Sequence, residues 1–209
     1  FSLNQYGVYG DTAIVPAVAV AKHPASLSWA EAAAVWMQYT TAYGALIDIA
    51  GLKAGDTLLI PAASSSVGIA AIQIARMIGA TPVALTRRSS KRKSLLDIGA
   101  ADVIATEEQD LVAEAKRLTG GKGVRIVFDP VGGPTIAKLT AAMAQHGILF
   151  LYGALSTEPT PPSSMSPTRR RMNARMRISP TSAEPTIRAR TWAASKGSSA
   201  SLAINPTRW

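Results

Sequence analysis

Short apolar runs alternate with helical stretches of about a dozen residues from residue 56 to residue 152, and this alternation predicts a doubly wound parallel α/β sheet. Three observations carry the expectation. The runs are nearly continuous in apolar character, as strands covered on both faces are. Several helical stretches stop at glycine, at Gly79, Gly99 and Gly120-Gly121. The first run passes into a turn of small residues that opens a helix.

Each element has its own signal. Residues 12–20 read as a short extended segment, which Pro16 confines to an edge. Ser28 and Glu31 form a capping-box pair at the start of an apolar helix that runs to about residue 50 and closes at Gly51. Trp29 and Trp36, on one face of that helix, read as packing residues. Strands are expected at residues 56–62, 82–86, 103–105, 124–129 and 148–152. The helices between them are expected at 67–78, 89–98, 107–118 and 134–145. Successive strands joined through helices require right-handed crossovers and a sheet covered on both sides.

The pattern ends after Ser156. Of the 53 residues from Thr157 onward, 31 are Ser, Thr, Pro or Arg, and no apolar periodicity survives. Such a segment buries too little apolar surface to offset a backbone ordering cost of about 1–2 kcal/mol per residue, so residues 157–209 are expected to be disordered. A regulatory tail has this composition, and so does out-of-frame translation of GC-rich DNA. The break falls inside an unfinished α/β domain, which favours the second origin. Nine of the 22 Lys and Arg residues lie in this segment but only two of the 13 Asp and Glu. The net charge of +9 therefore describes a tail and not a folded patch. The tail has no repeating Arg–aromatic pattern, which argues against nucleic acid as a partner.

Composition excludes several classes. The chain has no cysteine, hence neither disulfides nor thiolate metal sites. No apolar run is long enough to span a bilayer, and the first residues lack the basic-then-apolar order of a signal peptide. A cytoplasmic protein is expected. The missing initial Met suggests a start inside a longer reading frame.

The chemistry concentrates at the first strand–turn–helix unit, Leu58-Leu59-Ile60-Pro61-Ala62-Ala63-Ser64-Ser65-Ser66-Val67-Gly68. Small residues let a pyrophosphate approach the backbone, and the amides and dipole of the helix start hold the anion. The dinucleotide fingerprint G-x-G-x-x-G is here Ala63-x-Ser65-x-x-Gly68, which keeps only the last glycine. A strand–helix turn without a ligand is the bland alternative. At the end of the second strand stands Thr86-Arg87-Arg88-Ser89-Ser90-Lys91, with no carboxylate to receive a ribose diol. Arginine forks suit a 2′-phosphate, whereas cations at a helix start are unfavourable without an anion. NADPH is therefore expected over NADH, against the plainer reading of a solvated basic helix start.

With these residues in view, the chain resembles the medium-chain dehydrogenase/reductase superfamily, and within it the zinc-free quinone oxidoreductase-like branch. The resemblance also rests on Ala32-Ala33-Ala34, Tyr39-Thr40-Thr41-Ala42-Tyr43, Gly51-Leu52-Lys53-Ala54-Gly55-Asp56 and Gly99-Ala100-Ala101-Asp102-Val103-Ile104. It continues through Gly120-Gly121-Lys122-Gly123-Val124, Phe128-Asp129-Pro130-Val131-Gly132-Gly133 and Gly153-Ala154-Leu155-Ser156. The branch carries two glycines where this chain has Ser65 and Ser66.

The resemblance implies a Rossmann-type domain at residues 26–156, preceded at 1–25 by the remnant of a barrel-like catalytic domain. It implies hydride transfer from NADPH to a quinone or activated alkene, with Thr41 beside the nicotinamide. Val131, Gly132, Gly153, Ala154 and Leu155 would approach its ribose, Ala63, Ser65, Ser66, Val67 and Gly68 the pyrophosphate, and Thr86, Arg87, Arg88 and Lys91 the 2′-phosphate. No zinc is expected, since Met37 stands where zinc-type relatives place a cysteine ligand and His23 and His146 are isolated. His146 is read as the favourable end of the helix at 134–145. The sixth strand is expected to be missing, and a homodimer is a further expectation. No Ser–His–Asp set, G-x-S-x-G elbow or Tyr–Lys pair marks a catalytic residue. A nucleotide-binding remnant without catalysis is the competing reading.

Overall fold

The computed structural model describes residues 11–160 and the strand at 175–178. The chain divides into two compact units after Trp36. The division falls within helix α1 (Trp29–Tyr43), whose cap is preceded in the first unit by a 3₁₀ turn at Ala17–Ala19. The capping box forms as expected: Glu31 N donates to Ser28 Oγ at 3.3 Å, and Ser28 N donates to Glu31 Oε2 at 2.8 Å. Trp29 is 82% exposed and Trp36 69%, so neither is a core residue, although Trp29 lies edge-on to His23 at 4.8 Å. The physical reason lies in the helix itself, whose one buried residue is Ala42, close to its C-terminus. A π turn at Gly44–Ile49 extends α1 in the second unit and buries Leu46.

That unit holds the sheet. Its strands are β1 (Thr57–Ile60), β2 (Thr81–Thr86), β3 (Asp102–Ala105), β4 (Val124–Asp129) and β5 (Met143–Leu151). Between them run α2 (Ser66–Ile78), α3 (Arg92–Ile98), α4 (Leu111–Leu118) and α5 (Thr135–Ala141). All five strands are parallel, in the order β3-β2-β1-β4-β5. The order reverses direction between β1 and β4, the switch point at which open α/β sheets bind ligands.

Strand alternation sorts the core onto two faces. Leu58, Ile60, Ala84, Ile126, Phe128 and Phe150 pack on one side with Ala71, Ile74 and Ala75 of α2. Leu59, Val83, Leu85, Ile104, Val127 and Leu149 pack on the other with Leu111 and Ala115 of α4 and Ile136 and Leu139 of α5. Phe128 is fully buried, stacked on Tyr152 at 4.1 Å and edge-on to Phe150 at 6.4 Å.

Besides shifts of a residue or two at strand ends and the 3₁₀ turn within the stretch expected to be extended, four differences from the sequence reading matter for the site or the sheet. The helix expected at 107–118 begins only at Leu111, because the Asp110 carboxylate accepts from Ala113 N at 2.7 Å and caps it there. Glu107 and Glu108 are thereby left in the turn after β3. The basic helix at 89–98 starts as a 3₁₀ turn, Ser89–Lys91, before α3. The helix expected at 134–145 stops at Ala141, since Val124 N donates to Ala142 O and Val124 pairs with Met143. His146 consequently lies in β5 and not at a helix end, with φ of 61°, where the β4–β5 register shifts.

The fourth difference is at the sheet edge. Arg175–Ile178 form β6, parallel to β5, with Ile148 opposite Arg175 and Leu151 opposite Ile178. The edge position read as vacant is thus filled by four residues of the basic segment. The remainder of that segment beyond Thr160, like residues 1–10, lies outside the described residues.

The Phe128 packing yields the first prediction. Phe128→Ala should lower stability by roughly 3–5 kcal/mol, read from urea unfolding. A loss below about 1 kcal/mol would contradict the packing described for this face.

Candidate nucleotide-binding site

Parallel strands bring the loops after β1, β2, β3, β4 and β5 to one edge of the sheet, and nearly every residue singled out by the sequence lies there. After β1 the backbone turns through Ala62, whose φ is 49°, and enters α2 at Ser66. Ser65 is the N-cap, its Oγ accepting from Gly68 N at 3.1 Å. By helix geometry the amides of Ser66 and Val67 have no acceptor within α2, so they point out of its first turn. Gly68 is held tightly: an added Cβ would lie 2.7 Å from Ala63 O and 2.8 Å from Ala62 O. This is the close helix–strand packing assigned to the last glycine of the fingerprint. Ala63 is fully buried beneath the turn.

Beyond β2 a cleft of about 310 Å³ is lined by Thr86, Arg87, Arg88, Ser90, Lys91 and Glu107. Lys91 Nζ donates to Ser64 Oγ at 3.2 Å and so ties the cleft to the turn after β1. Arg88 Nε donates to Glu107 Oε2 at 2.9 Å. Glu108 Oε1 accepts from Ser89 N at 3.0 Å, which holds its carboxyl below the ordinary range. The Glu107 hydrogen bond and charge raise the Arg88 guanidinium in turn. Sequence reasoning missed these two carboxylates, having placed both in a helix.

The loops after β4 and β5 interlock. Gly153 abuts β4's exit: a Cβ there would sit 2.6 Å from Pro130 O. Leu155 N donates to Pro130 O and Ser156 N to Val131 O, at 3.1 and 2.9 Å. Thr160 Oγ1 accepts from Gly133 N at 2.9 Å, so residues 157–160 are tied to this loop. Ala154 and Leu155 are exposed beside it. Asp129 is buried and accepts from Val131 N at 2.8 Å and Gly132 N at 3.0 Å. Its pKa is nevertheless raised, because burial outweighs the two amides. Tyr152, whose hydroxyl is buried without a partner, is pushed well above the ordinary tyrosine value by burial and then by Asp129. Tyr39 donates to Gln73 Oε1, and burial pushes it up to about 12. Both tyrosines are therefore neutral at physiological pH, and Tyr39 serves as a donor.

Thr41 lies near the C-terminal end of α1, beside the buried Ala42. Its hydroxyl donates to Met37 O at 2.7 Å within α1. Among the described residues no group of three His, Asp or Glu is placed to hold a metal ion. No helix among them is long and apolar enough to cross a membrane.

Comparison with known proteins gives a consistent set of likenesses. The family model described as zinc-binding dehydrogenase matches residues 66–191. Quinone oxidoreductase 1 of Escherichia coli is 32% identical over 153 residues, covering 73% of this chain and 47% of the relative. The human synaptic vesicle membrane protein VAT-1 homolog is 34% identical over 72% of this chain and 38% of its own length. Among solved structures, Escherichia coli quinone oxidoreductase complexed with NADPH superposes with a TM-score of 0.67 at 29% identity, covering 76% of this chain and 48% of that one. The chain thus spans between about two fifths and half of the length of these relatives.

Asp129 gives a prediction with a definite sign. Its folded-state pKa lies above the unfolded value, so the fold favours the protonated carboxyl. Its contribution to stability therefore falls as pH rises through the ordinary carboxylate value to the raised one. Relative to Asp129→Asn, wild type should gain stability as pH is lowered through that range. Urea midpoints that run parallel in the two proteins would contradict this.

Proposed function

The chain belongs to the zinc-binding dehydrogenase family, in the quinone oxidoreductase-like branch of the medium-chain dehydrogenases/reductases, and from this we propose that it is the cofactor platform of an NADPH-dependent oxidoreductase. The observation that carries the reading is the cationic cleft of Thr86, Arg87, Arg88, Ser90 and Lys91, tied through Ser64 to the small-residue turn before α2. A dinucleotide has its phosphates spaced along such a path. Ser65, Ser66 and Val67 would present the first turn of α2 to the pyrophosphate, while Gly68 and Ala63 keep that turn close to the sheet. Arg87, Arg88 and Lys91 would receive the 2′-phosphate. The interlocked loops at Val131-Gly132 and Gly153-Ala154-Leu155 would bound the nicotinamide ribose, with Thr41 assigned to the nicotinamide by family resemblance.

Bound NADPH supplies a hydride, and a quinone or activated alkene or carbonyl is the acceptor class proposed here. The protein's part is to hold donor and acceptor together and to exclude water. A catalytic side chain is not part of the proposal. Neither is zinc, although the family takes its name from it: the sequence has no cysteine, and by resemblance Met37 stands where zinc-type relatives place a cysteine ligand. A cytoplasmic homodimer completes the reading by family resemblance. Since the chain spans about half of its relatives, binding without turnover is the second reading for this chain taken by itself.

Calorimetric titration should show tighter binding of NADPH than of NADH. Arg87→Ala/Arg88→Ala should close the gap by about tenfold or more, as loss of charge-assisted hydrogen bonds to a phosphate does. Equal affinities in wild type would overturn the 2′-phosphate assignment. The 209-residue chain should oxidise NADPH negligibly with a small benzoquinone, followed by absorbance, and robust turnover would discard the second reading. Elemental analysis should find no stoichiometric zinc in the purified chain; one zinc per chain would refute that part of the proposal.

A further inference from the structure

The cleft after β2 contains a carboxylate of its own. Glu107 lies on its wall, opposite the cations, and its side chain pairs with Arg88 at 2.9 Å. The pair is open to water, with side-chain exposures of 76% for Arg88 and 47% for Glu107. Exposed pairs of this kind are weak and readily exchanged. Glu107 reaches this place because Asp110, and not an earlier residue, caps α4, and because Glu107 N donates to Arg87 O at 3.0 Å. Its neighbour Glu108 is engaged elsewhere, on Ser89 N. The anion that a basic segment at this point demands is thus already present in the chain.

We propose that Glu107 is a specificity-determining residue of this pocket, an internal stand-in for the 2′-phosphate that holds Arg88 in the empty site and is displaced when a phosphorylated adenosine ribose enters. The inference rests on the reading of the cleft as the adenosine 2′-phosphate site. A phosphomonoester carries more negative charge than a carboxylate near neutral pH and offers three acceptor oxygens, so it outcompetes Glu107 for the guanidinium. The displaced carboxylate stays near the incoming phosphate and repels it. Glu107 therefore reduces the preference for phosphorylated over unphosphorylated nucleotide that Arg87, Arg88 and Lys91 create. A nucleotide lacking the 2′-phosphate has no claim on Arg88 and leaves the pair intact.

The test uses 2′,5′-ADP and 5′-AMP as probes, titrated calorimetrically at low ionic strength against the full chain. Glu107→Gln should tighten 2′,5′-ADP by about threefold or more and leave 5′-AMP within about twofold. Glu108→Gln removes a charge nearby without freeing Arg88, and should tighten 2′,5′-ADP less. Unchanged or weaker 2′,5′-ADP binding in Glu107→Gln would overturn the proposal. So would an equal gain in Glu108→Gln, which would make the effect one of general charge. Weaker 5′-AMP binding in Glu107→Gln would overturn it too, by making Glu107 an acceptor for a ribose hydroxyl. Arg88→Ala separates the two levels. If it leaves 2′,5′-ADP affinity unchanged, the phosphate site itself is misplaced and this inference fails with it. If it weakens 2′,5′-ADP while Glu107→Gln has no effect, only the role of Glu107 is refuted.

Discussion

The close approach of α2 to the exit of β1 governs the rest of the structure. Because Gly68 has no side chain, the helix start lies against the carbonyls of Ala62 and Ala63, at distances that a Cβ would bring below 3 Å. That contact fixes where the first-turn amides point and how Ala71, Ile74 and Ala75 meet the sheet. It also sets the position of Ser64, and through Ser64 the reach of Lys91 from the neighbouring crossover. The small-residue turn before α2 and the cationic cleft are consequently parts of one frame.

The fold was legible because its physics is local. A buried parallel strand needs a continuous apolar run, and β4 at Val124–Asp129 matches its expected limits residue for residue. Glycine at the end of α2 takes φ of 82°, as a left-handed cap requires, and Gly79 was visible as that stop. The errors fell where a longer-range partner decided the outcome. Nothing near Met143 in the sequence says that it will pair with Val124 and withdraw four residues from a helix. Trp29 and Trp36 have the spacing of a packing stripe, but spacing does not fix burial, and both stay largely exposed.

The site divides in the same way. Ser65, Gly68, Arg87, Arg88 and Lys91 could be placed from the strand–turn–helix pattern, since that pattern sends all of them to one edge of the sheet. Glu107 and Glu108 could not. Their part depends on which acid caps α4, and Glu107, Glu108 and Asp110 compete for that role within four residues. The expected lack of a carboxylate near the arginines was true of the segment after β2 and untrue of the cleft, because β3 lies beside β2 and contributes its own loop. Likewise the compositional break after Ser156 did not foretell that Thr160 would hold Gly133.

The pairing of β1 with β4 has a consequence for how the chain's stability is distributed. Leu58 and Leu59 meet Ile126 and Val127 only after the whole of α2, β2, α3, β3 and α4 has been spanned, so this is the strand pairing of widest sequence separation in the sheet. It is also the joint over which a dinucleotide lies in folds of this order. A ligand seated there binds only molecules in which the two halves are joined, and by mass action it adds its binding free energy to that seam. On the proposed reading a dinucleotide in the crevice would thus act as a latch, and resistance of the two halves of the sheet to local opening would rise with occupancy.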